Sequence, residues 1–127
     1  MPGIDECLIE AMALPGARGA SLVDWTSGLA LGTAGDSPVG DHETTAAETA
    51  ELARAAAEFD SFTSGGAEGP PVEDLIVTTR AGYHVLRFVE TSFDSSVFLH
   101  LWLDRDSGNL ALARLRLRDL ADRLVLG

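Results

Sequence analysis

The sequence predicts an α+β domain, a five-stranded antiparallel sheet with helices on both faces, in the order α-β-β-α-β-β-β-α. Three observations lead there. Within each of the two strand groups the runs are joined by turns too short to hold a crossover helix, which makes those neighbouring strands antiparallel. One run, Val97 to Leu103, is largely apolar on both sides and needs cover on two faces. From Thr44 to Phe59 there is no Gly or Pro and Ala is abundant, the pattern of a stable helix. The chain has 127 residues, so residues 1–127 are read as a single domain.

Each element has a local reason. Pro2 suits a helix's first turn, and Ile4, Cys7, Leu8, Ala11 and Met12 recur at helical spacing until Pro15-Gly16 stops them. Ala20 to Trp25 reads as a strand, Thr26-Ser27-Gly28 as a tight turn and Leu29 to Thr33 as the returning strand. Gly35 to Gly40 is a loop, after which Asp41 can cap the middle helix, with Glu43 in its first turn. Ser64 to Pro71 is a Gly- and Pro-rich connector. Val72 to Thr79 and Tyr83 to Glu90 flank the turn Arg80-Ala81-Gly82, and Phe93-Asp94-Ser95 turns the chain into Val97 to Leu103. Asn109 can cap a last helix whose Leu110, Ala113, Leu117, Leu120 and Leu124 form one stripe.

Composition excludes several function classes. Twenty acidic and nine basic residues give a net charge of −11, the wrong sign for a phosphate-backbone binder or an anionic membrane surface. No apolar run approaches the roughly 20 residues that span a bilayer, so membrane insertion is not expected. The first basic residue is Arg18, so the start lacks the basic region of a secretory signal. The lone Cys7 cannot form an internal disulfide, and a cytoplasmic location is expected. All nine basic residues are Arg. The phosphate-binding loop pattern, with its lysine, is therefore missing, and no cofactor is expected.

Catalytic chemistry has no convergent pattern either. Ser21, Ser92 and Ser107 lack a His and acid partner at motif spacing, so no catalytic residue is assigned and the chain is read as non-enzymatic. His42 lies between Asp41 and Glu43 at a helix start, where neighbouring side chains diverge; it is read as solvent-exposed rather than as a ligand. His84 and His100 fall on adjacent strands and could approach each other, either as a ligand pair or as ordinary half-buried strand residues. No metal site is expected. Cys7 reads as a small core residue.

Two features point to a second copy of the chain. The strand Val72 to Thr79 has Leu75 and Val77 on one side and Asp74, Ile76 and Thr78 on the other, a half-polar pattern that suits a sheet edge. A bare edge pairs readily with another chain. In the middle helix, Ala46, Ala50, Ala53 and Ala57 form a small-residue stripe beside Thr45, Thr49, Leu52, Ala56 and Phe59. One stripe can lie on the sheet while the other meets a second helix. A symmetric homodimer is expected, with strand 72–79 paired to its own copy and the middle helices packed together. Leu75, Ile76, Val77, Thr78 and the four alanines are assigned to that seam.

The segments Leu14-Pro15-Gly16-Ala17-Arg18-Gly19-Ala20-Ser21-Leu22-Val23-Asp24 and Gly28-Leu29-Ala30-Leu31, the Ala-rich helix, a three-strand meander and Leu110-Ala111-Leu112-Ala113-Arg114-Leu115-Arg116-Leu117-Arg118-Asp119-Leu120 follow one another in order. This pattern resembles the Roadblock/LC7 domain family, its bacterial MglB-like branch included, over about residues 4–125. The resemblance implies a profilin-like sheet between helices and dimers joined through the third strand and second helix. It also implies service as a platform for small Ras-like GTPases, as an activating or scaffolding partner. A sensor kinase is a further partner the resemblance implies. Partner contact is expected at Glu48, Glu51, Leu52, Arg54, Ala55, Glu58 and Phe59. The helix over residues 41–60 holds six acids against Arg54 alone, and that Arg either reaches a partner or pairs with Glu51 or Glu58. The alternatives are a structural adaptor in a signalling complex without effect on GTP hydrolysis, and a small-ligand sensor.

Overall fold

The computed structural model describes residues 3–63, 71–90 and 96–126. The elements are α1 (Gly3–Met12), β1 (Ala17–Asp24), β2 (Leu29–Gly35), α2 (His42–Glu58), α3 (Asp60–Thr63), β3 (Asp74–Thr78), β4 (Gly82–Val89), β5 (Val97–Asp104) and α4 (Leu110–Leu126). The expected order holds, with one addition. Phe59 leaves α2 in an extended conformation, and the single turn α3 follows, closed by a Phe62 N–H to Phe59 carbonyl bond of 2.9 Å. The connector at 64–70 and the turn Phe93-Asp94-Ser95 lie outside the described residues.

The sheet order is β2-β1-β5-β4-β3, every neighbour antiparallel. The two-sided apolar strand β5 is central, and the half-polar β3 is an edge, as its pattern predicts. β1 begins at Ala17 rather than Ala20, because the chain keeps pairing with β5 through an irregularity between Ala17 and Gly19. Gly19 is needed there: a Cβ would stand 1.9 Å from the Asp36 carbonyl oxygen.

Alternation along β5 divides the core in two. Leu99, Leu101 and Leu103 meet Leu8, Ala113, Leu117 and Leu120 of α1 and α4 on one face. Phe98 lies on the other face with Val23, Leu86 and Phe88, beneath Ala46, Ala50 and Ala53 of α2. These three alanines are buried, and Ala57 packs beside them. The small-residue stripe is therefore spent on the chain's own sheet. Alanine there lets the α2 backbone come close to the large side chains of β4 and β5, which supply the buried apolar area. The assignment of Ala46, Ala50 and Ala53 to a seam between copies is thereby corrected, since they are already covered within one chain; Ala57 is half-buried.

Both helix caps form as predicted. The Asp41 carboxylate accepts from the Glu43 N–H at 3.1 Å and from the Thr44 hydroxyl at 2.7 Å, which holds its pKa below the usual carboxylate value. Asn109 Oδ1 accepts from the Leu112 N–H at 3.0 Å. No helix among the described residues is long and apolar enough to cross a membrane.

Candidate docking surface

A groove between α2 and β3 opens on one face of the sheet. With the Ala stripe turned inward, α2 presents Glu48, Glu51, Leu52 and Glu58 to solvent, and Phe59 follows at its end. Leu52 is 41% exposed and Phe59 57%, and Val39 and Phe62 nearby in sequence are exposed as well. Between α2 and β3 runs a groove of about 280 Å³, walled by Val39, Thr49 and Leu52 on one side and Val77, His84 and Leu86 on the other. Leu75, Ile76 and Val77 are half-buried and Thr78 is exposed.

The β3 backbone has a defined polarity. Phe88 donates to the Glu73 carbonyl at 3.0 Å and Thr79 to the Gly82 carbonyl at 2.8 Å. Hydrogen bonding to β4 therefore falls on residues 73, 75, 77 and 79. By alternation the N–H groups of Asp74, Ile76 and Thr78 point outward along the free edge. That row of donors and acceptors can pair with another extended chain.

The residues expected to meet a partner do not all reach that surface. Arg54 pairs with neither Glu51 nor Glu58. It is half-buried and donates from Nη2 to the Trp25 carbonyl at 2.9 Å, tying α2 to the β1–β2 turn. One guanidinium nitrogen is thereby engaged within the chain, while the residue stays partly exposed. Ala55 is half-buried on the same side of the helix. Trp25 itself is half-buried, and its indole Nε1 is sheltered with no partner among the described residues. Pro38 and Val39 line the groove although their loop carried no sequence signal beyond Gly and Pro. An exposed valine in a polar loop was the available clue.

Beneath the groove the two strand histidines meet. His84 Nδ1 and His100 Nε2 are 2.9 Å apart and share a hydrogen bond. Their rings are 5.2 Å apart and nearly parallel, Trp102 stacks on His84 at 6.2 Å, and the Arg18 guanidinium lies 4.1 Å from the Trp102 ring centre. Burial pushes the His100 pKa down to about 3, helped by repulsion from His84 and His42. Burial also lowers His84. Both imidazoles are thus neutral at neutral pH, with one proton between them. Among the described residues no group of three His, Cys, Asp or Glu side chains is placed to hold a metal. His42, read as solvent-exposed, is half-buried, and its Nε2 lies 2.9 Å from the Gly35 carbonyl. Cys7 is buried in the core, which raises its thiol pKa to about 11.

No family model matches the sequence, and no curated protein matches it. Solved structures do. Myxococcus xanthus MglB superposes with a TM-score of 0.81 at 20% identity, covering 98% of this chain and 86% of that one. A Roadblock/LC7 domain from Streptomyces avermitilis gives 0.74 at 17% identity, over 95% of this chain and 93% of that one. The fold is that of a Roadblock/LC7 domain. An MglB structure with a tetrameric arrangement matches at 0.74 and 20% identity, over 96% of this chain and 85% of that one. In this Roadblock/LC7 fold α2 covers one face of the sheet, where the groove separates it from β3, and α1 and α4 cover the opposite face.

Proposed function

We propose that the protein is a non-enzymatic homodimeric platform that regulates or scaffolds a small Ras-like GTPase. The observation that carries the reading is the free β3 edge beside an apolar groove on the α2 face, on a fold shared with MglB. A second copy pairing antiparallel through β3 extends the sheet to ten strands and covers the β3 edge of each copy. A two-fold axis beside β3 sets the partner's α2 over Val39, Thr49 and Val77. The seam is then Leu75 to Thr78 with the outward side of α2. Its small residue is Thr49, since the alanines at 46, 50, 53 and 56 are inside.

The composite surface carries Glu48, Glu51 and Glu58 of each copy around Leu52 and Phe59. Acidic rims with an apolar centre suit a basic, mobile surface on the partner, and the attraction weakens with salt. The platform contributes no phosphate-binding loop, so its effect on GTP turnover comes from biasing the partner's switch segments. A cytoplasmic place of work follows from the same reading.

The test mixes the protein with the small GTPase encoded nearest to it and measures complex formation and phosphate release in each nucleotide state. Binding in one state, weakened by Leu52→Asp, supports the proposal. Absence of a complex in every nucleotide state removes it.

A further inference from the structure

The helical face opposite α2 carries a second, different surface. Ala111, Arg114, Leu115 and Arg118 recur along α4 at spacings of three and four and wall a crevice of about 320 Å³ against β3 and β4. Arg87 of β4 lies on its floor, with Glu73 and Asp74 of β3 at its edge. Three of the chain's nine basic residues meet here, against two of its twenty acids. In a protein of net charge −11 this crevice is a local reversal of sign.

The pairing inside it is incomplete. Asp74 is the register partner of Arg87 across the strand pair, yet its carboxylate is taken by Arg114, with Nε at 2.8 Å and Nη2 at 3.3 Å. Arg87 is left half-buried with its Nε sheltered from solvent and without a hydrogen-bond partner among the described residues. Arg118 makes no ion pair among the described residues. A sheltered guanidinium nitrogen without an acceptor is costly, and an incoming oxyanion is the group that offsets that cost. Guanidinium forks match carboxylate and phosphate oxygens in pairs.

We infer that this crevice is a binding site for a small oxyanion, a phosphate or carboxylate group, held by Arg87 and Arg118 with the free edge of Arg114. Ala111 and Leu115 flank it; Leu115 is 52% exposed and offers an apolar wall to the body of an organic ligand. Glu73 at the rim disfavours an extended polyanion, so the ligand is a small molecule and not a nucleic acid. The inference is independent of the GTPase reading, since the crevice lies on the α4 side of the sheet.

Titration of the full chain with inorganic phosphate, phenyl phosphate and benzoate tests it, read by calorimetry and by amide shifts of Arg87, Arg114 and Leu115. Saturable binding with shifts confined to these residues is expected. Tighter binding of phenyl phosphate than of inorganic phosphate identifies an organic ester as the ligand class; equal affinities identify the free anion. Arg118→Gln, an exposed change that leaves folding untouched, weakens binding about tenfold or more, and Arg87→Met does the same without lowering the melting temperature. No saturable binding of any of the three probes overturns the inference. So does binding that neither substitution alters.

Discussion

Removing the titration of His100 should flatten the acid limb of the protein's stability. The imidazole is 4% exposed and hydrogen-bonded to His84, and its pKa falls from the ordinary 6.5 to about 3 in the folded chain. The unfolded chain binds a proton that the folded chain refuses throughout the window between those values. Because the folded pKa is depressed, stability is complete above the unfolded pKa and declines as pH falls toward 3. One proton corresponds to about 1.4 kcal/mol per pH unit, so lowering pH from 6 to 4.5 costs about 2 kcal/mol. His84 shifts in the same direction and adds to the decline. Glu10, Asp24, Asp41 and Asp104 also have lowered values, but their ordinary pKa values of 4.5 or 3.8 place their losses mainly below this window. Urea unfolding of the native chain and of His100→Gln at pH 7, 6, 5.25 and 4.5, at one fixed protein concentration, reads the difference. Glutamine can still bond to His84 but does not titrate. The native chain should lose about 2 kcal/mol more than the variant between pH 6 and 4.5. Parallel pH profiles for the two proteins would refute the reasoning, whatever their absolute stabilities.

Thr78→Pro deletes a backbone donor that faces away from β4 on an exposed edge position, so circular dichroism should be unchanged while light scattering at micromolar concentration shifts from twice 13.4 kDa to 13.4 kDa. Persistence of the dimer would move the seam elsewhere. Gly82→Ala places a Cβ 2.1 Å from the Leu103 carbonyl oxygen, and this backbone collision should cost about 3 kcal/mol in urea unfolding. Asp41→Ala removes the α2 cap and should cost about 1 kcal/mol, seen as a lower urea midpoint at unchanged m.

The parts of the fold legible in the sequence are those where one local rule acts alone. Val97 to Leu103 is apolar on both sides, and only a central strand satisfies that. Asp41 and Asn109 announce helix starts because short polar side chains reach their own backbone. The orientation of α2 was not legible: its two stripes are similar in polarity, and the choice was made by the bulk of Phe98, Leu86 and Phe88 on the facing sheet, which favours the stripe of smaller side chains. Arg54 illustrates the same limit. Helical spacing places it near Glu51 and Glu58, but the Trp25 carbonyl, 29 residues away in sequence, lies closer in space. The arginine crevice was invisible for a similar reason, since Arg87 and Arg118 lie on different elements and only β3–β4 pairing under α4 unites them.

The burial of Cys7 has a practical consequence. With its thiol held protonated well above neutral pH, the sole native cysteine will resist alkylating dyes while the chain stays folded. A cysteine introduced at exposed Ser61 would then accept a spin label or fluorophore selectively, with the wild-type thiol left in place. In a dimer joined through β3, distances between two such labels would report the spacing of the α2 ends directly in solution.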